Sequence, residues 1–102
     1  MTEFERRVLE LVSDVPRGKV VTYKQVAVRI GKPKACRAVG NALNKNPRPI
    51  EIPCHRVVRS DGKIGGYGLG VSRKVELLQN EGVEVKDGKI DLEKYRYEDF
   101  NE

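Results

Sequence analysis

Residues 22–44, TYKQVAVRIGKPKACRAVGNALN, contain two helical patterns separated by a short turn. A capping box of Thr22 and Gln25 opens the first pattern and predicts a helix over residues 23–30, which ends at a glycine. The second pattern covers about residues 33–44. Its buried stripe is predicted to consist of Ala35, Ala38, Val39, Ala42 and Leu43. Two short helices joined by a tight turn with a glycine are typical of a helix-turn-helix.

The exposed face of the second helix is polar and basic, which suits a DNA groove. The residues on this face are Lys34, Arg37, Asn41 and Asn44. The charge distribution agrees with this interpretation, because the net charge is +5 and residues 15–60 contain eleven Lys or Arg but a single acid, Glu51. Such a basic segment is expected of a protein that binds a polyanion. A solvated charged surface is the alternative interpretation.

Other local patterns complete the predicted fold. A capping box of Thr2 and Glu5 starts an N-terminal helix. The segment CHRVVRSDGKIGGYG, residues 54–68, predicts a strand, an Asp-Gly turn and a return strand, which together form a small wing. Ser72 is predicted to cap a further helix, which Gly82 closes.

The last part of the chain is less clearly patterned. A second hairpin is compatible with the turn residues Asp87 and Gly88, and the tail EKYRYEDFNE, residues 93–102, is compatible with both packing and fraying. Together the patterns predict a single domain over residues 1–102. Its expected class is mostly α with a small β wing, a winged helix-turn-helix-like domain.

The composition excludes several function classes. No apolar run is long enough to span a membrane, and the N-terminal residues mix acids and bases, unlike a signal peptide. Two cysteines do not indicate a disulfide framework, and with a single histidine they supply too few ligands for a zinc site. We therefore expect a soluble intracellular protein without a metal.

Residues 52–58, IPCHRVV, place the single histidine of the chain beside one of its two cysteines. A thiol becomes a good nucleophile when it loses its proton. At Cys54 both His55 and the positive charge of the arginine that follows His55 favour that loss. Neighbours in a straight strand point to opposite faces, so the pair needs a bent backbone or a bridging water. A carboxylate would orient the histidine, and Glu76 and Glu81 are both candidates. An inert buried cysteine is the alternative.

The motif PCHRVV resembles the reactive-site motif of the O6-alkylguanine-DNA alkyltransferases. The blocks GKVVTYKQVA, KACRAVGNALNKNP, GGYG and KVELLQNEG follow the family's order and approximate spacing, and the resemblance covers about residues 2–83. The chain is similar to the C-terminal, DNA-binding and reactive domain of that family. Many members carry an additional N-terminal domain, which we expect this chain to lack.

The resemblance implies a direct and irreversible reaction. An alkyl group moves from O6 of guanine in double-stranded DNA to Cys54, once per molecule and without a cofactor. His55 would deprotonate the thiol through a water, and Glu81 rather than Glu76 would orient His55. Such a protein is expected in the cytoplasm, or in the nucleus of a eukaryote, as a monomer that does not contact membranes.

The implied DNA contacts lie on the helix-turn-helix. The damaged base must be flipped out of the duplex, and Arg37 resembles the arginine finger that fills the vacated stack; phosphate contact is the alternative. The family places this helix in the minor groove, where small Ala35, Ala38 and Gly40 permit close approach, although packing explains these residues equally well. Tyr23 resembles the tyrosine that helps rotate the nucleotide, and a half-buried aromatic at a helix start is the alternative.

The implied base pocket consists of Tyr67, Val57 and Gly68. Many relatives have serine at the position of Gly68; glycine keeps the backbone N–H that contacts O6, so we expect a roomier pocket. Asn46 matches the asparagine that braces the reactive loop, although asparagine before proline is also ordinary turn chemistry. Cys36 is expected to be a small buried residue.

Two other functions remain open at this point. Alkyltransferase-like proteins share the fold and bind alkylated guanine without reacting, but they typically carry tryptophan in place of the cysteine. This chain has Cys54 and no tryptophan. A plain winged-helix regulator would use DNA binding alone, which leaves the Cys-His-Arg run without a purpose.

Overall fold

The computed structural model describes residues 1–101 as five α-helices around a two-strand parallel sheet. The helices are α1 (Glu3–Val12), α2 (Tyr23–Ile30), α3 (Cys36–Asn44), α4 (Val71–Asn80) and α5 (Leu92–Tyr95). The strands are β1 (Val21–Thr22) and β2 (Val57–Val58), and two 3-10 helices cover Cys54–Arg56 and Glu98–Asn101. The domain is mostly α, as the sequence predicts. In the part of the chain that is described, no helix is long and apolar enough to cross a membrane.

Local end signals explain the boundaries of α1 and α2. The Thr2 hydroxyl accepts from the Glu5 N–H at 3.1 Å and the Glu5 carboxylate accepts from the Thr2 N–H at 2.9 Å, which confirms the first capping box. The second box is confirmed in the same way at Thr22 and Gln25, with hydrogen bonds of 2.9 and 3.0 Å. Gly31 ends α2 at φ 88°, a left-handed conformation that glycine adopts without strain.

The second helix of the pair begins later than its pattern predicts. The turn after α2 continues to Ala35, whose N–H donates to the Lys32 carbonyl at 2.9 Å, and α3 therefore starts at Cys36. Ala35 is half-buried and Ala38 is exposed, so the buried stripe is narrower than expected. The buried members of the stripe are Val39, Ala42 and Leu43.

Strand β2 pairs with β1 and not with the return segment that the sequence suggests. The register is parallel, with Val21 opposite Val57. All four strand residues are buried. Since parallel strands are stable where both faces are covered, β2 takes as its partner a strand that is equally buried. The expected turn after β2 is present, because the Arg59 N–H donates to the Lys63 carbonyl at 2.9 Å.

The small wing consists of two turns that pair with each other. The Ile64 N–H donates to the Gly88 carbonyl at 3.1 Å, and the Ile90 N–H donates to the Gly62 carbonyl at 2.8 Å. The second turn, residues 86–89, closes through backbone hydrogen bonds of 2.9 and 3.0 Å between its end residues. The second predicted hairpin therefore exists as a tight turn.

Helix α4 differs from the prediction at its start and agrees with it at its end. Gly70 is the N-cap, while Ser72 lies exposed in the first turn and caps nothing. At the other end, the N–H groups of Gly82 and of the next residue donate to carbonyls three and five residues earlier, each at 3.0 Å. This is a Schellman motif, and it fixes the backbone of Glu81 immediately before the glycine.

The C-terminal tail packs against α2 and against Val20, the residue immediately before β1. The Tyr97 N–H donates to the Val20 carbonyl at 2.7 Å, and the Val20 N–H donates to the Tyr95 carbonyl at 2.9 Å. The side chains of Tyr95 and Phe100 are buried, each in a different one of the two clusters that form the core. The tail is therefore part of the core.

Candidate active site

The 3-10 turn at residues 54–56 bends the chain immediately before β2. The N–H of Cys54 donates to the carbonyl two residues earlier at 2.8 Å, and the Arg56 N–H donates to the Pro53 carbonyl at 2.9 Å. The side chains of Cys54 and His55 therefore do not alternate as they would in a straight strand. The bent backbone that the sequence argument requires is present.

Cys54 is 7% exposed and lines a small pocket of about 20 Å³. This pocket lies between α3 and the loop that carries Tyr67. Its other lining residues are Tyr23, Gly40, Leu43, Asn44, Gly66 and Gly68. The cysteine thus borders a cavity, which an inert core cysteine does not require.

His55 is fully buried and pairs with Glu81. The His55 Nε2 lies 2.9 Å from Glu81 Oε2. Because an ionised carboxylate only accepts hydrogen bonds, Nε2 carries the ring proton and Nδ1 is the acceptor nitrogen of the neutral ring. Nδ1 is buried and has no hydrogen-bond partner among residues 1–101. Glu76, the other candidate, is exposed and pairs with Arg73 instead.

Arg56 binds the same carboxylate from the other side. Its Nε donates to Glu81 Oε1 at 2.9 Å and its Nη2 donates to Glu81 Oε2 at 2.8 Å, while Nη1 donates to the Val15 carbonyl at 2.8 Å. The bidentate pair holds the carboxylate in one orientation. We expected the positive charge of this arginine to act on the thiol, whereas in the structure its guanidinium binds Glu81.

The protonation states follow from burial and pairing. Burial lowers the pKa of His55 below its ordinary 6.5, although the Glu81 carboxylate opposes this effect. Burial would raise the pKa of Glu81, but hydrogen bonds from Arg56 and His55 outweigh burial and lower it. At neutral pH the site therefore holds a neutral imidazole next to a carboxylate, and the imidazole can accept a proton.

Asn46 spans the loop of residues 46–54, which leads to Cys54. Its Nδ2 donates to the Ile52 carbonyl at 2.9 Å and to Cys54 Sγ at 3.2 Å, and its Oδ1 accepts from the Arg48 N–H at 2.8 Å. The side chain thus ties both ends of the loop together.

A cleft of about 760 Å³ shares four lining residues with the small pocket and lies between α3 and the turn after β2. Its lining residues are Tyr23, Cys36, Arg37, Gly40, Asn41, Asn44, Arg59, Ser60, Asp61 and Gly66. Lys34 and Ala35, which were also expected to contact DNA, do not line the cleft because they lie in the turn before α3. Cys36 is half-buried at the cleft rather than buried in the core.

The residues expected to line the base pocket separate into two groups. Tyr67 and Gly68 line the small pocket. Val57 does not, because its side chain is fully buried in the core between the strands and the helices. The Tyr67 ring meets the His55 ring edge-on at 6.3 Å, and its hydroxyl is buried without a partner among residues 1–101. Burial raises the pKa of both Tyr67 and Tyr23, so both hydroxyls keep their protons and can donate.

Lys74 is a buried residue that the sequence argument missed. It is 1% exposed, and its Nζ donates to the carbonyls of Val57 at 2.7 Å, Ile64 at 2.6 Å and Gly66 at 3.1 Å. These contacts tie β2 and the pocket loop to α4, and burial lowers the pKa of Lys74 to about 8. The available signal was its position one turn before Leu77 and Leu78, where a lysine interrupts the apolar face of the helix.

The comparisons with known proteins agree with one another. The family model described as "6-O-methylguanine DNA methyltransferase, DNA binding domain" matches residues 3–83. A methylated-DNA–protein-cysteine methyltransferase of Methanothermobacter thermautotrophicus is 52% identical over 85 residues, which cover 83% of this chain and 47% of the relative.

Two solved structures are similar in fold as well as in sequence. Mycobacterium tuberculosis OGT in complex with DNA has a TM-score of 0.78 at 44% identity, covering 80% of this chain and 50% of that one. S. pombe Atl1, in complex with damaged DNA containing O6-carboxymethylguanine, has a TM-score of 0.86 at 32% identity, covering 96% and 97%. The chain spans about half the length of the methyltransferase relatives, or less, and nearly all of Atl1.

Proposed function

Because the chain belongs to the 6-O-methylguanine DNA methyltransferase family, we propose that it repairs DNA by moving an alkyl group from O6 of guanine to Cys54. The observation that carries the proposal is the position of Cys54 at a pocket, directly after the Asn46-braced loop and beside the buried His55–Glu81 pair. The activity is that of a methylated-DNA–protein-cysteine methyltransferase, which acts once per molecule and needs no cofactor.

In the proposed reaction, the Cys54 sulfur attacks the alkyl carbon. The S–C bond forms while the C–O6 bond breaks, and the electron pair of the broken bond stays on the guanine. His55 Nδ1 takes the thiol proton through a water, and that proton ends on the guanine. Glu81 stabilises the transient imidazolium, because its carboxylate already accepts from Nε2 at 2.9 Å.

The DNA lies in the larger cleft in this proposal. Since a base inside a duplex is inaccessible, it must leave the stack and enter the small pocket over Cys54, which has to widen from about 20 Å³ to accept it. Arg37 on α3 fills the vacated position, and Tyr23 and Tyr67 offer hydroxyl donors to the flipped base. The Gly68 backbone N–H is the proposed contact to O6.

Mass spectrometry tests the proposal. After incubation with a duplex that contains O6-methylguanine, we expect one added methyl group on the peptide with Cys54 and normal guanine in the DNA. Cys54→Ala should abolish transfer and spare binding, whereas Cys36→Ala, which changes the other cysteine of the cleft region, should keep transfer. A methyl group on Cys36, or transfer by Cys54→Ala, would contradict the assignment of Cys54.

A non-reacting sensor of alkylated guanine is the second candidate, and the near full-length correspondence with the Atl1 structure favours it. Cys54 argues against it, because it supplies a nucleophile. The same experiment separates the two: tight binding of damaged duplex with no change in mass supports the sensor. Equal binding of damaged and intact DNA would instead support a regulator that reads no damage.

We also propose that residues 1–102 act as one domain and as a monomer. The expected compartment is the one that holds the DNA, which is the cytoplasm, or the nucleus of a eukaryote. Light scattering of the purified chain, alone and with a short duplex, checks the stoichiometry, and a dimer in either sample would contradict the monomer.

A further inference from the structure

The cleft has a second wall to which the family resemblance assigns no role. Arg37 stands on the α3 side, and the turn after β2 supplies Arg59 and Asp61 on the other side. The backbone of Arg59 is fixed at the start of this turn, because its N–H donates to the Lys63 carbonyl at 2.9 Å and its carbonyl accepts from the Gly62 N–H at 3.0 Å. The turn therefore presents Arg59 at a defined position on the rim of the cleft.

The stem of the Arg59 side chain passes beside Gly65. Its Cγ lies 3.4 Å from the position that a Cβ would take on this glycine. The side chain is nevertheless 57% exposed. Because the guanidinium group of arginine is planar and rigid, little entropy is lost for each hydrogen bond that it forms with a ligand.

The partner of Arg59 in the free protein is weakly held. Arg59 Nη2 lies 3.5 Å from Asp61 Oδ2, and the Asp61 side chain is 45% exposed. Asp61 is itself fixed by the turn, since its Oδ1 accepts from the Lys63 N–H at 3.0 Å. Exposed ion pairs at such distances contribute little to stability, so a competing anion can replace the carboxylate.

We propose that Arg59 binds a phosphodiester of the DNA backbone across the cleft from Arg37, and that it exchanges the Asp61 carboxylate for that phosphate when DNA enters. Guanidinium and phosphate match in charge and in bidentate geometry. The inference rests on the proposed function, because it takes duplex DNA as the occupant of the cleft. It divides the work between two arginines: Arg37 replaces a base, and Arg59 holds the backbone.

The salt dependence of binding tests this assignment. Fluorescence anisotropy with a labelled duplex, damaged or intact, should show that Arg59→Ala weakens binding to both by roughly five- to tenfold at low salt. The slope of the logarithm of the DNA association constant against log[salt] should become less steep by about one, which corresponds to the release of one counterion fewer. Arg59→Lys keeps the charge and should keep the slope, with affinity between those of the wild type and Arg59→Ala.

Two further variants serve as controls. Arg73→Ala removes an exposed arginine that also pairs with a neighbouring carboxylate but lies outside the cleft, and it should change neither affinity nor slope. Asp61→Asn keeps the acceptor for the Lys63 N–H and removes the competing charge, so it should tighten binding. An unchanged slope in Arg59→Ala, or an equal effect of Arg73→Ala, would overturn the inference.

The transfer assay keeps this inference separate from the proposed function. If wild-type protein methylates Cys54 but Arg59→Ala keeps its full salt slope, the phosphate role of Arg59 is wrong and the repair function stands. If wild-type protein binds DNA without transfer, the repair function is wrong, and the slope of Arg59→Ala still decides the role of Arg59.

Discussion

At the scale of single residues, the reactive site depends on one carboxylate that serves two neighbours. Glu81 accepts from both His55 and Arg56, and all three side chains are buried or nearly so. The arginine keeps the carboxylate ionised, and the carboxylate fixes the ring proton of the histidine on Nε2. In the proposed reaction, Arg56 therefore acts through Glu81 and not directly on the thiol.

The contrast between Glu81 and Glu76 gives the first prediction. Glu81→Gln should lower the free energy of unfolding by about 2–3 kcal/mol, because it removes the carboxylate charge from the nearly buried Glu81–Arg56 ion pair. The same variant should slow alkyl transfer. Glu76→Gln, on the exposed face of α4, should leave both quantities close to wild type. Urea titration and single-turnover transfer measure the two effects. Comparable losses in the two variants would contradict the orienting role of Glu81.

At the scale of elements, α4 stabilises the site through its C-terminal end and through Lys74. The Schellman motif at Gly82 fixes the backbone of Glu81, and Lys74 ties the helix to the carbonyls of β2 and of the pocket loop. The same helix thus positions both the Glu81 carboxylate and the pocket loop.

The lowered pKa of Lys74 predicts how stability depends on pH. Its folded-state pKa of about 8 lies below the ordinary 10.5, so between these values the unfolded chain binds more protons and stability rises with pH. We expect the wild type to gain up to about 3 kcal/mol relative to Lys74→Met as the pH rises from 8 to 10.5. Urea unfolding of both proteins across this range measures the difference, and parallel curves would contradict the prediction.

Glycines with the same backbone conformation at two helix ends allow a matched test of the α4 motif. Gly82 and Gly31 both have φ 88°, and both have open space where a Cβ would lie. Alanine at either position should cost about 1 kcal/mol of stability, because the left-handed conformation disfavours a Cβ. Only Gly82→Ala should also slow transfer, since Glu81 precedes it. Equal transfer rates for both variants would show that the helix end does not position the carboxylate.

At the scale of the whole molecule, the tail is as much a part of the fold as the helix-turn-helix. The family model ends at residue 83, but Tyr95 and Phe100 are buried and the Tyr97 backbone pairs with Val20. These contacts hold β1, and through its pairing with β2 they reach the reactive turn. Removal of the tail should therefore also destabilise the turn that carries Cys54 and His55.

Phe100 provides the test at this scale. Phe100→Ala should lower the free energy of unfolding by about 3 kcal/mol, since it empties a buried site against α2. Val28→Ala, on the exposed side of the same helix, should stay within about 0.5 kcal/mol of wild type. Thermal unfolding of both variants measures the difference, and a small effect of Phe100→Ala would mean that the tail contributes little.

Local signals in the sequence predicted the features that depend on neighbouring residues. The capping boxes at Thr2 and Thr22 and the glycine ends of α2 and α4 involve groups within five residues of each other, so their patterns are visible in the chain. Motif resemblance, and not periodicity, supplied the pairing of His55 with Glu81, which lie 26 residues apart.

Features that depend on distant contacts could not be read from the sequence. The partner of β2 is chosen by burial on both faces, and Arg56 turns to Glu81 because that carboxylate is the nearby buried charge. The N-cap of α4 is Gly70 and not the predicted Ser72, for a reason that the local sequence pattern does not contain. Arg59 gave no signal because its importance lies in its place on the cleft rim.

The narrow cavity over Cys54 also bears on how the molecule is kept ready. About 20 Å³ accommodates a water molecule but no purine ring and no bulky thiol reagent. In the proposed reaction the pocket must therefore widen before a base can reach the sulfur, and the same narrowness limits the access of bulky thiol reagents to Cys54 in the free protein.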